Sequence, residues 1–193
     1  MAYSKRVSEI EALYTNLGLD KESIWHKTKA LLSIYRKVVW SLHESVDYIV
    51  AENIETYGKS LDKALSFLYD FAPIEQKKDF EDKVTYLFET KWLIDLIDKS
   101  LIRIKNYPEQ GELYFNIIHN IYLKEKKIFD VDCMALVNME KTMYYQRKKE
   151  AIYLMGIALW GYAIPDLKQE MEAYRKEVEA KKGQHKANLW VDS

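Results

Sequence analysis

Lysine and arginine cluster in one part of a chain whose formal net charge is only −1. The stretch NMEKTMYYQRKKEA, residues 138–151, carries Lys141, Arg147, Lys148 and Lys149, and no acidic residue interrupts 141–149. A helix that is exposed merely for solubility more often has acids about four residues from its bases. The segment 166–182 has that mixed pattern. Cations gathered without acids are instead typical of a surface that binds phosphate groups.

The residues around this cluster predict two helices joined by a tight turn. Asp130 can cap a helix of about two turns over VDCMALV, and Asn138 can adopt the left-handed conformation that ends it. A longer helix is then predicted from Glu140 or Lys141 to Trp160, with Gly161 and Pro165 closing it. This order of elements is that of a helix-turn-helix. The apolar residues that would face its core are Val137, Met139, Tyr144, Ala151 and Met155.

The opposite side of the longer helix could recognise double-stranded DNA. Hydroxyl, amide and cationic groups there can address base edges, while cations on the flanks reach the phosphates on both sides of the major groove. Arg147 and Lys148 are predicted to flank the inner side, with their long stems on apolar surface and their charges directed outward. The predicted DNA-binding residues are Lys141, Thr142, Tyr145, Gln146, Arg147, Lys148 and Lys149.

These residues carry a family resemblance. MEKTMYYQRKKEAI resembles the DNA-recognition helix in the fourth conserved region of bacterial sigma factors. More closely, it is similar to the Tyr-Tyr-x-Arg-Lys-Lys-Glu-Ala signature of ArpU-type sigma-like regulators from phages and prophages. The resemblance extends from about Leu101 to Gly161, although Glu140 stands where the family usually has Ser or Thr. It implies a transcriptional regulator of phage or prophage type that binds DNA through its second half.

The composition predicts an all-α protein, because only six glycines and three prolines occur in 193 residues. Helices are expected over residues 4–16, from the cap Asp20 to about 49, over 60–71 and over 74–105. The cluster NYPEQG, residues 106–111, predicts a domain boundary. We therefore expect three parts: a helical bundle with long helices (1–105), a sigma-region-four-like helix-turn-helix domain (106–165), and a charged helix with a frayed tail (166–193).

The first half is predicted to bind proteins rather than DNA. It has long apolar stripes, and the acid-rich segment DFEDKVTYLFETKWLIDLIDK would repel phosphates. The candidate partners are RNA polymerase and a second copy of the chain, because one helix-turn-helix usually needs a second half-site or a partner protein.

The sequence gives less support to catalysis, metal binding or cofactor binding. The four histidines have no metal-ligand spacing, no cofactor motif occurs, and Cys133 fits packing better than nucleophilic catalysis. We therefore predict no enzyme activity, no metal and no cofactor. Two alternatives stay open: a helical adaptor without DNA binding, and a ribonuclease using Arg36 and His43, whose spacing resembles the Arg and His pair of HEPN ribonucleases.

The first residues lack a signal peptide, and no apolar run is long enough to span a bilayer, so a cytoplasmic location without membrane contact is expected.

Overall fold

A computed structural model of the protein describes residues 2–45 and 92–170, together with 172–173, 176–177 and 180. Every regular element among these residues is helical, and none of them forms a strand. The all-α prediction is therefore confirmed. The helix predicted over 60–71 and the first part of the one predicted over 74–105 lie outside the described residues.

Apart from the interval between residues 45 and 92, the described elements follow one another with short connections. In chain order they are α1 (Ala2–Asn16), α2 (Lys21–Ser45), α3 (Trp92–Lys105), α4 (Gly111–Ile118), a first π-helical segment (His119–Leu123), α5 (Asp130–Leu136), α6 (Lys141–Gly156) and a second π-helical segment (Ile157–Ala163). Residues 164–170 continue as α-helix.

The helix ends near the N-terminus follow from local chemistry. Gly18 has a positive φ of 64°, which glycine adopts without steric cost, and α1 ends just before it. The Oδ1 of Asp20 accepts a hydrogen bond of 2.7 Å from the backbone N–H of Ser23, in the first turn of α2. The predicted stop near Gly18 and the predicted cap at Asp20 are confirmed.

The predicted end of the long helix at Gly161 and Pro165 is wrong. The chain passes from α6 through the second π-helical segment and stays helical to residue 170. A proline inside an α-helix lacks an N–H and its ring clashes with the carbonyl one turn earlier. The π-helical segment ends at Ala163, two residues before Pro165, and π-helical hydrogen bonds span five residues instead of four.

One hydrophobic core joins most of the described helices. It includes buried residues of α1, α2, α3, α4, α6 and the second π-helical segment. The glycine at 156 allows α6 to approach α1 and α2 closely, because a Cβ there would lie 2.6 Å from the hydroxyl of Tyr14 and 2.7 Å from Ile24. The predicted boundary at 106–111 does coincide with a turn. In the part of the chain that the structure describes, however, residues from both sides of this turn share the same core.

A second, smaller core lies between α4, α5 and α6. Its buried members are Ile117, Cys133 and Tyr144. The Cys133 side chain is fully buried, and burial raises the pKa of its thiol, which disfavours the reactive thiolate. Among the described helices none is long and apolar enough to cross a membrane.

Candidate nucleic-acid interface

The two helices and the turn predicted around Asn138 are present. Helix α5 ends at Leu136 and α6 begins at Lys141. Between them Asn138 adopts a φ of 51°, the left-handed conformation expected of it. The backbone N–H of Met139 donates to the carbonyl of Met134 at 3.1 Å, which closes the turn. Glu140 is the N-cap of α6, but its side chain makes no capping hydrogen bond.

The residues predicted to face the core from α6 and from the turn before it do so. Tyr144, Ala151 and Met155 are fully buried, and Val137 and Met139 pack against the small core. The Tyr144 hydroxyl donates to Oδ1 of Asp130 at 2.7 Å, so that the first turn of α5 is tied to α6. Burial, together with this hydrogen bond, raises the pKa of Tyr144 and keeps the hydroxyl protonated as a donor.

An exposed stripe runs along the outer side of α6. Lys141, Tyr145 and Lys149 are four residues apart, so they lie one above the other on one side of the helix, and all three are exposed. We call these three residues the α6 stripe. Thr142 beside it is exposed too, and 43% of Tyr145 is accessible. The stripe presents two ammonium groups with a phenol between them.

Helix α1 borders the second half of this outer side. A small cavity lies where α1 and the start of α2 face α6, and its lining includes Val7, Ile10, Lys21, Gln146 and Lys149. Gln146 is accordingly only partly exposed. The open part of the predicted surface is therefore the first two turns of α6 together with Lys149, which stays exposed at the edge of the cavity.

The prediction that Arg147 directs its charge outward is wrong. Only 7% of Arg147 is exposed, and its Nη1 donates to Oε2 of Glu150 at 2.6 Å. The same carboxylate oxygen accepts from the hydroxyl of Tyr114 on α4 at 2.7 Å. Glu150 follows Arg147 by three residues, so both lie on the same side of the helix, and that side packs against α4. Arg147 therefore belongs to the interior.

Lys148 also differs from its predicted role. Its Nζ lies 2.6 Å from Oδ1 of Asp130 and 5.7 Å from the centre of the Tyr122 ring. Burial alone would raise the pKa of Asp130, but the hydrogen bonds from Lys148 and Tyr144 and the charge of Lys148 lower it overall. The N-cap of α5 is Phe129, and Asp130 is the first residue of the helix rather than its predicted cap. The capping role falls to Asp132, whose carboxylate accepts from the N–H of Phe129 at 3.2 Å.

The Arg36 side chain forms hydrogen bonds with backbone carbonyl oxygens. Its guanidinium donates to the carbonyl oxygen of Lys124 at 2.8 Å and to that of Ile121. The side chain of His43 lies outside the described residues. No group of three or more His, Cys, Asp or Glu within the described residues is arranged to hold a metal ion.

Two features of this region could not be predicted from the local sequence. The pairing of Asp130 with Lys148 joins different helices, and nothing in the local sequence indicates it. The exposed lysines at 124, 126 and 127 form a short charge run, KEKK, and only the three-dimensional arrangement shows that Tyr122 before this run and Asp130 after it both approach Lys148 of α6.

Comparisons with known proteins add no further constraint. No protein-family model, curated protein or solved structure matches the chain. The resemblance to sigma-like regulators therefore stays a prediction.

Proposed function

We propose that this protein is a sequence-specific DNA-binding transcriptional regulator that inserts the first half of α6 into the major groove. The observation that carries this proposal is the α6 stripe, which stands exposed on a helix that follows α5 and a tight turn. The inner side of α6 is fixed in two cores, so the exposed groups are held by a rigid element. A rigid helix with an exposed polar side is what major-groove recognition requires.

The burial of each side chain suggests different roles along α6. Lys141 and Lys149 would bind phosphates, and Thr142, Tyr145 and Gln146 would contact base edges. Arg147 would support the fold through Glu150 rather than bind DNA. Lys148 would reach a phosphate only by giving up its ion pair with Asp130.

The biological setting rests on the resemblance alone. A sigma-like regulator of phage or prophage type would work in the cytoplasm and would act through RNA polymerase. A second copy of the chain would supply a second half-site.

Salt dependence of DNA binding tests the proposal. The full chain is titrated onto a short fluorescent DNA duplex at several salt concentrations, and binding is followed by fluorescence anisotropy. Each phosphate contact should add about 0.9 to the slope of log affinity against log salt. Lys141→Gln and Lys149→Gln should each lower that slope by about one. Absence of binding even at about 50 mM salt would refute the proposal.

Arg147→Met provides the matched control within the same helix. It also removes one cation, but a buried one, so the slope should stay unchanged while the protein remains folded. A slope that falls as much for Arg147→Met as for Lys149→Gln would contradict the assignment of roles along α6.

A second candidate is a helical adaptor that binds another protein. Helix α5 and the residue before it favour this function, because Phe129, Val131 and Leu136 are each more than 60% exposed. Large exposed apolar side chains often mark protein-binding surfaces. Replacing these three residues by serine should leave the DNA salt slope intact if the protein is a DNA-binding regulator. Under the adaptor hypothesis, duplex DNA is not bound at all.

A further inference from the structure

A lysine-rich loop lies between the first π-helical segment and α5. Residues 124–127 read Lys-Glu-Lys-Lys, and all four are exposed. We propose that this lysine loop is a second phosphate-binding site for duplex DNA, next to the α6 stripe. The proposal rests on the proposed function and extends it to residues outside the helix-turn-helix.

Both ends of the lysine loop are fixed against the same residue of α6. Before the loop, the ring of Tyr122 lies 5.7 Å from Nζ of Lys148, and after it the carboxylate of Asp130 lies 2.6 Å from the same atom. Lys148 is three residues from Tyr145 and seven from Lys141, so it lies on the strip of α6 that adjoins the stripe. The chain on both sides of the loop therefore approaches α6 beside the stripe, at Lys148.

Arg36 fixes the start of the loop from α2. Its guanidinium donates to the carbonyl oxygens of Ile121 and Lys124, at the end of the π-helical segment. The last carbonyls of a helix have no partner within the helix, and a guanidinium fork can bind two of them at once. Arg36 is thus a positioning residue. It holds the backbone of Lys124 while the lysine side chain is exposed to solvent.

The charge of this region suits a polyanion. The loop itself carries three lysines and one acid, Glu125. Of the two acids that follow it, Asp130 is neutralised by Lys148, and Asp132 accepts the N–H of Phe129. Lysine ammonium groups act as mobile point charges and need no fixed geometry to bind phosphates. Phosphate contacts of this kind orient a protein on the duplex and carry no sequence information.

A solvated loop without a function would be exposed too. It would not need an arginine from a distant helix to hold its first residue, nor anchors on α6 at both ends. A cationic loop that is fixed beside a recognition helix can instead contact the phosphate backbone along the edge of the same groove.

The test replaces the three loop lysines together in the full chain. The variant Lys124→Gln, Lys126→Gln and Lys127→Gln is compared with the wild type on the fluorescent duplex over about 50 to 200 mM salt. We expect the salt slope to fall by about three, with equal losses of affinity for all DNA sequences. The control variant has the same change in charge, placed on α3 and near the C-terminus: Lys99→Gln, Lys105→Gln and Lys176→Gln. Its slope should stay within about half a unit of the wild-type value.

A second variant tests the role of Arg36. Arg36→Met should lower the salt slope toward that of the loop variant, with helix content unchanged by circular dichroism. Added to the loop variant, Arg36→Met should cause no further loss of slope, whereas an unrelated structural defect would add to it. If Arg36→Met does not fold, the loop variant and its control decide the question alone.

The outcomes separate the two proposals. A wild type that does not bind duplex DNA refutes the proposed function. A wild type that binds with a steep slope, together with a loop variant that keeps this slope, refutes the lysine loop as a phosphate site and leaves the proposed function standing. If the salt slope falls equally in the loop variant and in its control, the lysine loop is likewise refuted as a phosphate site.

Discussion

Replacing Arg147 by methionine tests whether this cation is a structural group. The guanidinium and the carboxylate of Glu150 are both buried, with side-chain exposures of 9% and 4%. Removing the arginine would leave a buried carboxylate with only the Tyr114 hydroxyl as a partner. Breaking a buried ion pair in this way typically costs about 3–5 kcal/mol. For a chain of this length, the melting temperature should fall by roughly 6–20 °C.

A double variant isolates the cause of this loss. In Arg147→Met with Glu150→Gln both charges are gone, and the glutamine carbonyl can still accept from the Tyr114 hydroxyl. Replacing both members of a buried pair often changes stability little. The free energy of unfolding of this variant should therefore lie within about 1 kcal/mol of the wild-type value. Lys149→Met removes an exposed cation two residues further along α6 and should change stability by less than about 0.5 kcal/mol.

The assay is urea unfolding followed by far-ultraviolet circular dichroism. If Arg147→Met were as stable as Lys149→Met, the buried position of the guanidinium would be wrong. If the double variant were as unstable as Arg147→Met, the loss would come from packing and not from the unpaired carboxylate.

Two further predictions concern the way helices are joined. The pKa of Asp130 is lower in the folded chain than its ordinary 3.8, so the stability that it contributes is present above about pH 4 and is lost as the pH falls through the folded pKa. The free energy of unfolding, measured at several pH values, should therefore be higher for the wild type than for Asp130→Asn near neutral pH, and the two values should converge in acid. A difference that does not depend on pH would contradict the ion pair with Lys148. Gly111→Ala should destabilise the protein by about 1–3 kcal/mol, because the new Cβ would lie 2.6 Å from the carbonyl oxygen of Ile104. Thermal unfolding measures this loss, and an alanine variant as stable as the wild type would show that the turn between α3 and α4 relaxes.

Helices and their local ends could be predicted from the sequence because they depend on neighbouring residues. The stripe of α2 is an example: Ile24, Thr28, Leu31 and Tyr35 recur at intervals of three and four, and all are buried. The left-handed turn at Asn138 likewise follows from the tolerance of asparagine for that conformation.

The positions of the charges could not be predicted in the same way, because they depend on packing between distant segments. Arg147 is buried where α4 brings the Tyr114 hydroxyl to Glu150, although the spacing of Arg147 and Glu150 was a local signal of an ion pair. Lys148 is paired with Asp130 of another helix. Of the four clustered cations, Lys141 and Lys149 are the ones that stay exposed.

The continuation of the helix through Pro165 had no sequence signal. Proline and glycine close to each other normally indicate a helix end, whereas here the chain passes through a π-helical segment whose residues Ile157, Ala158 and Leu159 are buried.

Selection of bound sequences from a pool of random DNA tests the central claim most directly. The full chain is immobilised, bound duplexes are recovered and amplified over several rounds, and the final pool is sequenced. The proposed function predicts a defined motif whose preferred bases change for Thr142→Ala or Tyr145→Ala, at a cost of about 1–3 kcal/mol for particular base pairs. The Lys149→Gln variant should weaken binding but recover the same motif. A final pool as random as the starting one would contradict sequence-specific recognition by α6.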